Sequence, residues 1–254
     1  MKSSFYFSTL ATAALVLMGL NVSAQATDWT SFDYVGYATG GQYTDFNTSI
    51  LSRANGNGVM DTSYDPTSLA WSNTVFAGVG YIATQGWYWG GELNADYANA
   101  SGFQSNVVPY GDEGGFYMEN RMNVSAKWSG DVDLLFGHTL DTANHWTAYM
   151  KIGPSVTEAK LTYKAQDIQG PDTNIDSSGD VDKTILGALF GIGLRDQFAD
   201  NWMWGIETDY TYYPWQTVSQ TVPFDIINPP PDQEITYGFN PSMLSVKASL
   251  AFTF

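Results

Sequence analysis

The chain contains no cysteine in 254 residues. That excludes disulfides, thiol nucleophiles and cysteine-based metal sites. Basic side chains are scarce as well: 10 Lys and Arg stand against 26 Asp and Glu, a net charge of −16. Binding nucleic acid by counterion release needs clusters of Lys and Arg, so no nucleic-acid partner is expected. Nor is there a polybasic patch for anionic lipid. The acidity suits divalent cations or basic partners, and equally the plain solubility of surface loops. Histidine is limited to His138 and His145. No apolar run reaches the ~18 residues that a spanning helix needs.

The one extended apolar stretch, residues 7–20, follows Lys2 and precedes two small-x-small patterns, Val22-Ser23-Ala24 and Ala24-Gln25-Ala26. This arrangement predicts a secretory signal peptide over residues 1–26, cleaved after Ala24 or Ala26. Residues 27–254 then form a single domain. Losing Lys2 takes its net charge from −16 to −17.

What the chain has in quantity is aromatic side chains, 15% of the total with 9 Trp and 16 Tyr, against only 14% charged residues. Rings with one polar end collect where lipid meets water. The last segment adds a period of 2. Leu244, Val246, Ala248, Leu250, Phe252 and Phe254 alternate with Ser245, Lys247, Ser249, Ala251 and Thr253. That is a strand with one oily face. Chain ends usually fray. In a closed membrane barrel the last strand pairs with the first, which removes both edges.

Tryptophan also marks a repeat. Asp28-Trp29, Gly86-Trp87, His145-Trp146 and Asn201-Trp202 are spaced by 58, 59 and 56 residues. Each reads as the start of an upward strand just past a tight turn or the mature terminus, so that the Trp residues form a girdle at one interface. Four such periods predict an all-β fold, an eight-stranded antiparallel transmembrane up-and-down β-barrel. Its strands are expected at 29–42, 73–82, 87–98, 128–139, 146–163, 184–198, 202–213 and 238–254. Each reaches or about matches the ~9–11 residues of a tilted crossing. Connections 83–86, 140–145 and 199–201 are short. Connections 43–72, 99–127, 164–183 and 214–237 are long and polar, and alternation of this kind is the outer-membrane pattern. The first of them has room for a further hairpin, so ten strands is the alternative.

Two stretches carry a family resemblance. Gly191-Ile192-Gly193-Leu194-Arg195-Asp196-Gln197-Phe198-Ala199-Asp200-Asn201-Trp202, continuing to Glu207-Thr208-Asp209-Tyr210-Thr211-Tyr212, resembles the last hairpin of small bacterial outer-membrane barrels of the opacity-protein type and the membrane domain of OmpA-type proteins. Gly86-Trp87 with Glu92-Leu93-Asn94-Ala95-Asp96-Tyr97 is similar to an earlier hairpin arm. The resemblance implies the bacterial outer membrane, with lipid and lipopolysaccharide as surroundings. It also implies that the barrel-insertion machinery reads Leu250, Phe252 and Phe254. No peptidoglycan-binding domain of the OmpA type is expected.

Strand parity predicts where charges point. A basic residue on the lipid face at mid-bilayer costs about 2–4 kcal/mol. Lys151, Arg195 and Lys247 have the parity opposite to the oily residues, and so do Glu92, Asp96, Asp131, Asp133, Glu207 and Asp209. These nine are the expected lumen charge network, whether as a structural plug or as a pore lining. An eight-stranded barrel is just wide enough for its side chains to fill. No catalytic residues are assigned, because both histidines fall beside a short turn rather than at the outer mouth. No cofactor or metal is expected. Asp172-Thr173-Asn174-Ile175-Asp176 with Gly179-Asp180-Val181-Asp182 is an acidic cluster, but Ser177 and Lys183 stand where an EF-hand requires Gly and Glu. Weak divalent-cation binding there is the remaining option. The expected role is structural and surface-interacting, with loop aromatics Phe103, Tyr110, Phe116, Tyr117, Trp215, Phe224 and Tyr237 available for an external ligand. A small-solute channel is the alternative.

Overall fold

The computed structural model describes residues 29–54, 58–83, 85–110, 116–140, 146–167, 177–222 and 233–254. The predicted signal segment 1–26, His145, residues 172–176 and Phe224 lie outside them, as do the side chains of Tyr110, Phe116 and Tyr117. Twelve strands follow one another: β1 (Trp29–Asp45), β2 (Thr48–Ala54), β3 (Gly58–Tyr64), β4 (Thr67–Ala83), β5 (Trp87–Tyr110), β6 (Phe116–Thr139), β7 (Trp146–Asp167), β8 (Ser177–Ala199), β9 (Trp202–Tyr212), β10 (Gln216–Val222), β11 (Gln233–Phe239) and β12 (Ser242–Thr253). Eight of them close into an antiparallel barrel in the order β1-β12-β9-β8-β7-β6-β5-β4. The four repeat tryptophans each open a strand, namely β1, β5, β7 and β9.

The predicted spare hairpin exists but does not enter the ring. β2 and β3 join β10 and β11 in a second sheet of order β10-β11-β2-β3. This sheet is the upward continuation of the wall. Asp45 pairs with Ser242 in the barrel, and Thr48 pairs with Phe239 above it in the same register. The β1–β4 ladder ends at Asp45↔Thr67 and resumes as Thr48↔Tyr64. Pro66, Pro214 and Pro241 sit on the line of interruption. None can donate to a ladder, so the strands break there. Single bonds bridge the break, from Phe46 N to Pro66 O (3.0 Å) and from Tyr213 N to Pro241 O (3.2 Å).

On the other half of the ring the strands run on unbroken. The 99–127 and 164–183 segments, expected as polar loops, are largely strand. β5 pairs with β6 as far as Tyr110↔Phe116, and β7 with β8 as far as Ala165↔Ser177. Two seams open above the ring, because β4–β5 pairing stops at Ser72↔Ala98 and β8–β9 pairing at Ala188↔Tyr212. Beyond them two sheets face each other across an apolar core that includes Phe46, Ile50, Leu161, Tyr163, Tyr237 and Phe239. The molecule is thus a barrel that rises into a sandwich-like head.

The polarity of the two parts is opposite. Around the barrel, Val75, Leu134, Met150, Ile192, Val246 and Leu250 point outward and are exposed. Rings mark both borders of this oily band: Trp87, Trp202 and Phe254 at the short-turn end, Trp71, Tyr97 and Trp128 towards the head. In the head, polar side chains take outward positions, among them Arg121, Asn123, Glu158, Lys160, Asp180 and Asp182. Tyr237, expected on the loop surface, is instead 1% exposed and stacks on Tyr163 at 4.7 Å. Its parity on β11 turns it into the head core. Phe103 and Trp215 do lie on the surface.

Candidate functional site

The barrel interior gathers the charges. Glu92, Asp96, Asp131, Asp133, Lys151, Arg195, Glu207, Asp209 and Lys247 all point inward, none more than 6% exposed. They come from β5, β6, β7, β8, β9 and β12. Alternation does this: on each strand the odd or even set facing lipid is oily, so the other set faces the lumen.

The charges fall into two layers. Nearer the short turns, Arg195 Nη2 meets Glu92 Oε2 at 2.5 Å. Arg195 Nη1 donates to Tyr34 Oη at 2.9 Å, and that hydroxyl donates to Glu92 Oε2 at 2.9 Å. The guanidinium also lies over the rings of Tyr149 (4.5 Å) and Tyr34 (5.1 Å). Planar Arg suits such a site because it forks and stacks at once. Tyr149 Oη donates to Glu207 Oε2 at 3.3 Å, linking this layer to the next.

In the second layer Lys151 Nζ stands 3.1 Å from Asp209, 3.4 Å from Glu207 and 3.7 Å from Asp133. Lys247 Nζ stands 2.6 Å from Asp96 and 3.7 Å from Asp209. Thr74 donates to Asp96. Asn94 Nδ2 donates to Asp131 Oδ1 (2.6 Å) and Asp133 Oδ2 (3.1 Å). Glycine makes the room. A Cβ on Gly191 would collide with Lys151 and Asp209, and one on Gly193 with the Tyr149 ring. The head core lies beyond the second layer, with Tyr213 Oη of that core 2.9 Å from Ser155 Oγ at the join.

Sequence parity pointed inward for all nine charged residues and for Asn94 and Tyr149, but assigned these uncharged side chains no part in the network and left Tyr34 and Thr74 unassigned. Tyr34, Tyr149, Asn94 and Thr74 complete the network. Inward parity was the available signal for them, and nothing in their chemistry set them apart. The oily terminal residues Leu250, Phe252 and Phe254 face outward, with Phe252 against Trp202 at 5.4 Å. His138 lies at the short-turn end, its ring edge-on to Trp87 at 5.1 Å. In the predicted acidic cluster, Asp180 and Asp182 lie on β8 rather than in a loop, and Lys160 Nζ donates to Asp180 at 3.0 Å. Among the described residues no group of three or more acidic, His or Cys side chains is placed to hold a metal ion.

The profile of the family described as "Outer membrane protein beta-barrel domain" matches residues 12–226. The chain belongs to this family. Its place is the bacterial outer membrane, and the opposed polarities of wall and lumen are the form such barrels take in lipid. No curated protein matches the sequence. Among solved structures, OprG from Pseudomonas aeruginosa is similar with 11% identity and a TM-score of 0.47, covering 88% of this chain and 96% of that one. The outer membrane protease OmpT from Escherichia coli is similar with 8% identity and a TM-score of 0.41, over 91% and 100% of the two chains. Neisserial surface protein A follows with 11% identity and a TM-score of 0.34, over 85% and 99%.

Proposed function

We propose that this outer-membrane barrel is a structural and surface-interaction protein whose lumen does not conduct. The observation that carries the reading is the double filling of the interior. An ion-pair network occupies the barrel, and above it lies an apolar core that includes Phe46, Leu161 and Phe239. Water and ions find poor passage through side chains packed in this way.

The network then serves as a plug that fixes the positions of the strands. The barrel anchors, and the head holds its outer surface clear of the lipid. Lys127, exposed beside Trp128 at the upper ring border, is suited to a lipopolysaccharide phosphate. Phe103 and Trp215 are suited to an external ligand. The outward row Leu250, Phe252 and Phe254 is suited to the insertion machinery.

Planar-bilayer recording of the refolded protein tests the reading. Silent membranes at protein densities where a known porin conducts are expected. Stable ohmic steps would replace the plug with a small-solute channel.

A further inference from the structure

The lumen network does not balance. Six buried carboxyl groups, Glu92, Asp96, Asp131, Asp133, Glu207 and Asp209, face three buried cations, Lys151, Arg195 and Lys247. Each uncompensated negative charge in a low-dielectric interior is costly, and the buried acids furthest from a cation are the ones that keep a proton. The geometry shows where. Arg195 is taken by Glu92 (2.5 Å) and Lys247 by Asp96 (2.6 Å). Lys151 lies closest to Asp209 (3.1 Å) and Glu207 (3.4 Å). Asp131 has no cation within ion-pair distance among the described residues, and Asp133 only the far contact of 3.7 Å to Lys151.

Asp131 and Asp133 point into the lumen two residues apart on β6, and one amide serves both. Asn94 Nδ2 spends both its hydrogens on them. Two buried oxygens at this spot have no partner, Asn94 Oδ1 and Asp133 Oδ1. Both are acceptors, and what is missing is a hydrogen to donate. A carboxylate cannot supply it, whereas a protonated carboxyl group can. Gly153 of β7 lies so close to Asp133 Oδ1 that a Cβ there would collide with it. The charged groups around the pair are Glu92 and Asp96 of β5, Lys151 of β7 and Asp209 of β9.

We propose that Asp131, Asp133 and Asn94 form a proton-binding site in which the two carboxyl groups hold one proton between them at neutral pH. The proton comes from solvent, no bond other than O–H forms, and the lumen's excess charge falls by one. Two close carboxyls in a shared site resist double ionisation. Stripping the proton at alkaline pH leaves two adjacent like charges buried on β6 with Lys151 as the nearest cation, so the site links external pH to the firmness of the plug. It stands whether or not the barrel conducts.

Infrared spectroscopy of the refolded barrel is the test. At neutral pH the wild type is expected to show the carbonyl stretch of a protonated carboxylic acid, shifted in D₂O and lost on alkaline titration. Asp131→Asn/Asp133→Asn is expected to abolish that band, while Asp209→Asn leaves it. No carboxylic-acid band in the neutral wild type, or a band that survives the double substitution, overturns the proposal. Should the double variant fail to fold, carboxyl ¹³C spectra of the wild type, assigned with the single variants, decide instead. Both Asp131 and Asp133 in the ionised position at neutral pH would then overturn it.

Discussion

Strand β7 passes through both halves of the molecule without a break. Low on the strand its outward side chains are Ala148, Met150 and Ile152, and its inward ones Tyr149, Lys151 and Ser155. Higher up the outward ones are Glu158, Lys160 and Thr162, and the inward ones Ala159, Leu161 and Tyr163. The backbone does not change and neither does the parity. What changes is the medium outside. Against acyl chains the wall must be oily and the polar set is driven inward. Against water the ordinary rule returns and the oily set packs in the middle. A single strand therefore carries two codes, and the place where they swap marks the lipid border more sharply than any one aromatic ring.

The largest expected effect attacks the lumen. Arg195→Met leaves Glu92 buried without its cation and should lower stability by about 3–5 kcal/mol in urea unfolding from lipid vesicles. Adding Glu92→Leu should restore much of that loss, because removing both partners also removes the desolvated charge. A double variant no better than the single would mean that the guanidinium acts by stacking on Tyr149 and Tyr34 alone. A second comparison sets one change in the two media. Leu134→Lys on the lipid face, at a position 70% exposed, should cost about 2–4 kcal/mol. Asn123→Lys, outward on the same strand but in the head, should stay within about 0.5 kcal/mol of wild type. Equal costs would erase the proposed border.

Most of the ring was legible in the sequence because lipid enforces a strict code. All eight barrel strands, the tryptophan starts and the nine lumen charges follow from parity once the oily face is taken to be outside. The head was not legible, for the same reason. Residues 99–127 and 164–183 offer no oily outward face, so they read as polar loops. On β6 the phase also slips, since Lys127 and Trp128 both point outward at a register shift. Inward positions change from Asp131, Asp133 and Leu135 to Met122, Val124 and Ala126, so a reading at constant parity breaks off where only the parity has changed. The hairpin β2–β3 was foreseen as a possible pair of ring strands. Pro66 and Pro241 account for its separation from the wall below.

The smallest effect concerns the outer face of the head. The hydrogen bond from Lys160, with another from Thr162, holds the Asp180 carboxyl below its usual range. A depressed value means stabilisation present above the ordinary aspartate range and lost as pH falls through the depressed value. Both groups are exposed, and screening leaves such pairs weak. A carboxyl titration followed by NMR should show Asp180 ionising at lower pH than in Lys160→Met. The unfolding midpoints of the two proteins at neutral pH should be indistinguishable, and a clear gap between them would show that the head relies on its surface ion pairs.

The exchange of polarity along one strand is best read by spin labels at the outward positions Met150, Ile152, Glu158 and Lys160 of the protein in lipid vesicles. The first two should collide mainly with dissolved oxygen and the last two mainly with a water-soluble relaxation agent. Labels at all four that report the same medium, lipid or water, would contradict the division into a membrane wall and an aqueous head.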